Sequence, residues 1–410
     1  MLEIGDKMNA NRLSTYSEKS TDHVTYIMTS SFRVLDNHSL FYAINTYKTC
    51  NIIIYRRLEN KRQNDYFDAF VFNLINTLKQ FGDVSIVYTV KDIKIDNDVV
   101  IDKGYLKEEK ETEEYIKQIS SYPITIIESN VSVPVTFVSQ KEEYSARTIR
   151  PKIHKILNNF IDPVMEEYKI SSFEKKALKD LNDFIDNKLK NYHLKNHPEN
   201  EYTSNISTYL KYGIISPIRI LLLLEDNRLQ NKEVFIEELI VRRELAFNFV
   251  YYNEQYYNFK YITYEWAYLT MSLHQFDPKE YLYTVDDYIN FRTHDKYFNT
   301  AMKEMVYLGK MHGYMRMYWC KKIIEWSSTF KEAYETSIFL NNKYFFDGNT
   351  PNGYTGVAWC FGKHDRAWTE RLIFGKLRYM NSNGLKRKFD IEKYVEKIEK
   401  EVRKYESSKT

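Results

Sequence analysis

Met311-His312-Gly313-Tyr314-Met315-Arg316-Met317-Tyr318-Trp319 opens the stretch on which this chain turns. Gly353-Tyr354-Thr355-Gly356-Val357-Ala358-Trp359 and His364-Asp365-Arg366-Ala367-Trp368-Thr369-Glu370-Arg371 close it. Four of the five tryptophans fall within residues 311–380, with arginines and small residues between them. A core built for burial alone favours Leu and Ile, which bring no polar atom to satisfy. Trp319 and Trp326 are seven apart, which returns to the same helical face after two turns. That spacing suits core packing, and it also suits a path for electron hopping. Trp359 follows a run of Asp, Gly, Asn and Pro, where a stacking platform for a base competes with plain packing. Arg316 stands among Met315, Met317, Tyr318 and Trp319, which would strip water from its guanidinium, so it needs a carboxylate. Asp347, ahead of Gly348, is the candidate; a structural ion pair and a charge-tuned cofactor pocket both fit.

Beyond this stretch lies a basic patch. Residues 363–388 hold eight Lys and Arg against Asp365 and Glu370, a local net of +6 in a chain whose formal net charge is +3. Trp368, Phe374 and Tyr379 are interleaved, which suits either a phosphate-backbone surface or a solvated basic face. Upstream, Thr203-Ser204-Asn205-Ile206-Ser207 offers hydroxyls and an amide at a helix start, either as a phosphate cradle or as an N-cap and turn. In Glu237-Glu238-Leu239-Ile240-Val241-Arg242-Arg243-Glu244-Leu245, an α-helix makes Glu238 and Arg242 i,i+4 neighbours. Such a pair is usually a solvated ladder, although Phe235, Leu239, Ile240 and Phe247 flank it.

The amino-terminal third reads differently. Residues 24–28, 51–55, 84–90, 99–101 and 124–127 are short apolar runs, and residues 65–81 and 107–119 have helical spacing between them. Strands alternating with helices imply βαβ units and a parallel sheet. No glycine-rich phosphate fingerprint follows the first strand. Residues 134–155 read as a crossing segment with Arg147, Arg150 and Lys152 beside Pro151. From about residue 172 the pattern is helical: 173–189, 234–249, 302–326, 331–340 and a charged terminal helix over 391–405. The greasy run 218–224, with Arg219 inside, predicts a buried helix. The expected architecture is α/β: an N-terminal parallel-sheet domain over 23–150, linker and first helices over 151–195, and a large all-helical domain over 196–410. Residues 1–22 are polar and predict a poorly ordered lead-in.

Composition sets the bounds. The 410 residues suffice for two domains, and 43% hydrophobic with 28% charged content is globular. Cys50, Cys320 and Cys360 are too few and scattered for a disulfide framework, and no CxxC pair or histidine spacing points to a metal. A reducing, intracellular compartment is the simple reading, and no apolar run reaches membrane-spanning length. GxSxG, HExxH, Walker A and EF-hand patterns are absent, so hydrolysis is poorly supported and a tightly held organic cofactor fits better.

These pieces, in this order, resemble the class II cyclobutane pyrimidine dimer photolyases. The agreement is densest over Gly309-Lys310-Met311 to Trp319, Lys321-Lys322-Ile323-Ile324-Glu325-Trp326, Asp347-Gly348, Pro351-Asn352-Gly353 to Trp359, and His364 to Arg371. It continues in Glu237 to Leu245 and in Tyr144-Ser145-Ala146-Arg147-Thr148-Ile149-Arg150-Pro151-Lys152-Ile153, and is looser before about residue 120. The resemblance implies light-driven repair of dimers in double-stranded DNA by a monomer. Non-covalent FAD, reduced and anionic, would pass an electron to a flipped-out dimer; an antenna chromophore is left open. It further implies FAD contacts at Tyr192, Thr203, Ser204, Asn205, Ile206, Ser207, Arg242, Arg316 and Asp347, with Asn341 near the flavin N5. Glu238, Met317 and Trp359 would contact the dimer, Arg366, Trp368 and Arg378 the DNA, and Trp319 and Trp326 would carry electrons. Phe298 departs from the pattern, which has a tryptophan between the equivalents of Trp319 and Trp326, so photoreduction of the flavin is expected to suffer. A cryptochrome-like FAD photoreceptor and a DNA-binding relative without repair activity are the alternatives. In a prokaryote the compartment would be the cytoplasm; in a eukaryote it would be the nucleus or another genome-containing compartment.

Overall fold

A computed structural model describes residues 7–226 and 228–408. The described residues form two compact units, one running up to residue 190 and taking in 204–252, and one of residues 191–203 with those from 253 onward.

The first unit is built on a six-stranded sheet of order β1-β6-β5-β2-β3-β4. The expected strands appear as β2 (His23–Met28), β3 (Thr49–Tyr55), β4 (Val84–Val87), β5 (Asp98–Asp102) and β6 (Ile124–Ile127), paired in parallel. Alternation along β2 sorts its two faces. Ile27 joins Val99, Ile101, Ile126 and Ile116 of the helix Lys107–Ile119 in one apolar layer. Burying each such side chain contributes roughly 2 kcal/mol. Tyr26 points the other way, toward the helix His38–Thr46. Polar groups line this second face. The Asp102 carboxylate accepts the backbone N–H groups of Thr29, Ser30 and Ser31 at 3.0–3.1 Å, the Tyr26 hydroxyl at 2.9 Å and the Ser39 hydroxyl at 2.8 Å.

Three expectations need correcting in this unit. The sheet is mixed, because β1 (Leu13–Thr15) runs antiparallel along β6. Within the expected lead-in, residues 1–6 lie outside the described residues, while Arg12 is fully buried. Its guanidinium donates to the carbonyls of Glu128, Val131, Ser132 and Phe160 and pairs with Asp162 at 2.8 Å. One buried arginine thus fixes a segment whose polar composition suggested disorder. The segment 134–155 is not a plain crossing: it contains the helices Val135–Val138 and Ala146–Ile156, the latter with Pro151 inside.

The unit boundaries also cut the chain differently from the expected domains, since residues 204–252 pack with the sheet. Glu244 is buried and accepts the Ser132 N–H at 2.9 Å and hydroxyl at 2.7 Å. Arg243 donates to the Asn130 carbonyl at 2.6 Å, and Asn248 to that of Lys141 at 3.0 Å. The greasy run is the helix Pro217–Leu223, and Arg219 leaves its apolar face to pair with Asp36 and Glu166.

The second unit is helical. The helix Lys296–Leu308 packs on Gly313–Trp326 and on the terminal helix Ile391–Ser407; Gly313–Trp326 also packs on Phe330–Tyr344 and Pro351–Cys360. The single helix expected over 302–326 is two. Gly309 takes φ 67° as the left-handed cap of the first, its N–H bonded to the Met305 carbonyl. His312 opens the second, its Nδ1 accepting the Tyr314 N–H at 3.2 Å. No helix among the described residues is long and apolar enough to cross a membrane.

Candidate active site

In the first unit the helix beginning at Lys232 changes pitch. Lys232–Ile236 is α-helical, Glu237–Arg242 forms a π-helical turn, and Arg243–Tyr252 is α-helical again. A π turn carries an extra residue and moves every side-chain neighbour one position along. The expected Glu238–Arg242 pairing is therefore replaced. Arg242 Nε donates to Glu237 Oε1 at 3.2 Å, a spacing of five, and Arg150 clasps the same carboxylate at 2.7 and 2.9 Å. Burial pushes the Glu237 carboxyl up, but Arg150 and Arg242 together outweigh it and hold it below the usual range. Glu238, half-buried, is displaced around the helix relative to the α-helical expectation. In the same unit Ser204 is half-buried, Asn205 and Ser207 are exposed and Ile206 is buried. Asn205 holds φ 56°, ahead of the short helix Ser207–Lys211.

In the second unit the expected ion pair forms. Arg316 Nη2 lies 2.9 and 3.1 Å from the two Asp347 oxygens, and Nε donates to the Met311 carbonyl at 3.1 Å. The guanidinium carbon sits 3.9 Å from the Phe345 ring centroid. Phe345 was not expected at the site. Asn341 is buried, and glycines press on it from two sides. A Cβ on Gly353 would lie 2.8 Å from its Nδ2, and one on Gly348 would lie 2.5 Å from its carbonyl oxygen. The Asp-Gly and Pro-Asn-Gly steps thus let two backbone segments approach one asparagine.

Trp319 and Trp326 share a helix face but have separate surroundings. Trp319 donates its indole N–H to Met302 sulfur at 3.0 Å and meets Phe345 at 6.4 Å between centroids. Trp326 is ringed by Phe298 at 5.0 Å, His294 at 5.2 Å and Tyr283 at 5.3 Å. Asp295 holds Phe298 in place by accepting its backbone N–H at 3.0 Å while also binding the Tyr318 hydroxyl. Met317 is half-buried, Tyr192 buried and Thr203 half-buried.

The surfaces expected for lesion and DNA merge into one stack. Trp359 lies in the last turn of Pro351–Cys360 rather than after a loop. The Arg378 guanidinium stands 4.8 Å from the Trp359 ring and 4.2 Å from the Trp368 ring, and Arg366 covers Trp368 at 4.8 Å. Asp365 anchors the stack, accepting Arg378 Nε at 3.0 Å, Arg378 Nη2 at 3.2 Å and the Trp368 indole N–H at 3.3 Å. Burial pushes its carboxyl up, yet Arg378 and the Arg366 amide hold it below the ordinary range. The sequence presents Asp365 only as a charge diluting the patch; its position directly before Arg366 and three residues before Trp368 is the available signal. The patch is also smaller than counted, because Lys363 is buried over the Tyr264 ring at 4.5 Å.

The deoxyribodipyrimidine photo-lyase of Methanothermobacter thermautotrophicus is 38% identical over 441 residues, covering 95% of this chain and 98% of that protein. Its counterpart from Oryza sativa subsp. japonica is 38% identical over 317 residues, covering 67% of this chain and 62% of that one. Among solved structures, a Synechocystis sp. PCC6803 cryptochrome superposes with a TM-score of 0.72 at 14% identity, covering 92% of this chain and 89% of that one. An archaeal photolyase from Sulfolobus tokodaii does so with a TM-score of 0.68 at 14% identity and the same coverage. Those identities speak to the fold alone, and no protein-family model matches. A near full-length match to one photo-lyase, carried on a sheet-then-helices architecture, gives the conclusion that this chain belongs to the photolyase/cryptochrome family, as an enzyme of the deoxyribodipyrimidine photo-lyase kind.

Proposed function

We propose that the protein repairs cyclobutane pyrimidine dimers in double-stranded DNA under light, as a class II enzyme with non-covalent FAD and acting as a monomer inside the cell. The observation that carries this reading is the Trp359–Arg378–Trp368–Arg366 stack, held by Asp365 in the most basic part of the chain. Flat, cationic and partly exposed, it suits unstacked bases and the phosphates around them. Extruding the lesion costs a few kcal/mol, least for a distorted base pair. Trp359 and Met317 would receive the flipped dimer, Glu238 would hydrogen-bond it, and Arg366, Trp368 and Arg378 would hold the strand.

The donor set fits a flavin. Among the described residues Arg316 Nη1 has no protein partner, and the buried Thr355 hydroxyl has none either. Both suit an acceptor-rich ligand. FAD, when bound, would supply the electron that splits the cyclobutane ring. Arg316, kept in orientation by Asp347 and Phe345, would favour an anionic reduced ring, and Asn341 would stand by its N5. Thr203, Ser204, Asn205, Ile206, Ser207 and Arg242 would hold the remainder, with Tyr192 as a further contact. The Sulfolobus tokodaii photolyase was solved with two FAD molecules, which supports the cofactor class.

Trp319 and Trp326 would carry electrons inward. Phe298, packed on Trp326, is a ring that is hard to oxidise, so Phe298→Trp is expected to raise the photoreduction rate and leave repair by pre-reduced protein unchanged. The deciding experiment is light-dependent repair of a dimer-containing oligonucleotide by chemically reduced, FAD-loaded protein. Absence of repair there ends this reading.

A further inference from the structure

Lys321 is 0% exposed, a place lysine almost never occupies unless it is paired. It lies in the helix Gly313–Trp326, just beyond Trp319, and none of the roles proposed above uses it. Its ammonium donates to the carbonyl of Cys360, the last residue of the helix Pro351–Cys360. Among the described residues that is the ammonium's one hydrogen bond, and no carboxylate lies within ion-pair distance of it. Burial holds its pKa below the usual lysine range, and the neighbouring Cys360, Cys320 and Asp365 offset only part of that. A buried cation with so little compensation is costly to keep.

The carbonyls at the end of Pro351–Cys360 show what it does there. A helix end leaves its last carbonyls without partners inside the helix. Ala358 is served by the N–H groups of Phe361 at 2.9 Å and Lys363 at 3.1 Å, and Trp359 by that of Gly362 at 3.0 Å. Cys360 is served by Lys321, whose charge also meets the negative end of the helix. The turn that is capped in this way carries Trp359.

The same ammonium stands 5.9 Å from the ring of Phe374, which is buried. The turn that carries Phe374 is fixed in its own right. Asp277 accepts the Ile373 N–H at 2.7 Å, and His274 stands 2.6 Å from Asp277 and 2.9 Å from Glu370. Leu377 N donates to the Phe374 carbonyl at 2.9 Å, immediately before Arg378. Lys321 therefore meets both supports of the stack from within the protein: the end of the helix bearing Trp359 and the turn leading to Arg378.

We infer that Lys321 is a positioning residue for lesion recognition, an internal cation that holds the Trp359 helix end against the Phe374 turn and so sets the spacing of Trp359 and Arg378. This rests on the repair reading above and adds to it a residue that touches no DNA. With no exposed surface, Lys321 cannot reach a phosphate. Its removal should therefore cost discrimination of the lesion and leave the electrostatic part of DNA binding in place.

The test measures affinity for a thymine-dimer duplex and for the same duplex undamaged, over a series of salt concentrations, with FAD-loaded protein in the dark. Lys321→Met removes the charge and keeps the length. Dimer affinity should fall roughly tenfold and affinity for undamaged DNA by less than about twofold, with the salt slope unchanged. In repair by pre-reduced protein, KM should rise by a similar factor while kcat holds. Lys321→Arg, which keeps a cation and donors, should restore most of the discrimination. Lys321→Gln, a neutral donor of shorter reach, should fall between them, and it carries the same comparison if Lys321→Met does not fold. Equal losses on both duplexes, a salt slope lowered by about 1, or unchanged dimer affinity would overturn the positioning role while leaving repair intact. Failure of the unmodified protein to prefer the dimer duplex would overturn both this role and the function it rests on.

Discussion

Two helices carry charged site residues, and they do so in opposite ways. Gly313–Trp326 is regular. Its arginine, Arg316, reaches out of the helix to Asp347, and both partners are substantially covered, at 29% and 14% exposed. The helix beginning at Lys232 contains the π turn, and its arginine, Arg242, pairs within the turn to Glu237 at 48% and 24% exposed. The first arrangement spends a tertiary contact on fixing one cation. The second spends an irregular backbone on re-aiming side chains, and its ion pair is incidental. π turns recur at functional sites because they rotate a short segment without breaking the helix.

The largest effect should come from breaking the covered pair. Arg316→Ala leaves Asp347 poorly compensated and removes the cation at the proposed flavin. FAD affinity should fall by roughly 100-fold, about 2.7 kcal/mol, less than the roughly 3–5 kcal/mol for breaking a fully buried pair because Arg316 is partly exposed. Retention of flavin absorbance through gel filtration would contradict this. Next is Trp359→Ala, which should weaken dimer binding about 10- to 100-fold with a smaller loss on undamaged DNA. Arg378 rests on that ring, so a Trp359→Ala/Arg378→Ala cycle should be non-additive; strict additivity would separate stack from lesion contact.

A pH effect of intermediate size should come from His312. Burial pushes its imidazole down to about 4. The folded state thus resists a proton that the unfolded state accepts near pH 6.5, so stability is full above that pH and is lost as pH falls toward 4. Its cost is on the order of 2 kcal/mol after allowing for partial exposure. His312→Asn keeps an N-cap acceptor and should flatten the fall of Tm between pH 6.5 and 4. The smallest effect belongs to the π turn's ion pairs. Glu237→Gln should change stability by about 1 kcal/mol or less, because its partners are well solvated. A large loss would mean that Arg150 and Arg242 hold the turn itself, and the two helices would then be less different than their exposure suggests.

What could be read in the sequence followed periodicity and residue chemistry. The helix Lys107–Ile119 and the strand Ile124–Ile127 match their expected bounds, and the Arg316–Asp347 pair follows from a guanidinium among apolar neighbours. The misses have a common cause. Arg12 is buried by four carbonyls from distant segments, and no local pattern announces a carbonyl cage. The π turn leaves the apolar pattern almost intact while shifting each neighbour by one, so the spacing of Glu238 and Arg242 misled. Gly309 inside a helical pattern was a legible stop signal that apolar periodicity on both sides masked. Asp365 and His274 act through partners that only the fold brings together.

The Asp102 carboxylate has a consequence for what the sheet can do. In open α/β sheets the crevice where strand order reverses receives ligands, and here that reversal falls between β2 and β5. The three successive amides of Thr29, Ser30 and Ser31 would make an anion nest there. Asp102 already fills it as a tethered anion. A free phosphate would have to compete with an effective local concentration in the millimolar range or higher, and without the entropy advantage of a pre-positioned rival. The crevice has become an internal joint, and Asp102→Asn should loosen the β2–β5 seam more readily than it opens a nucleotide site.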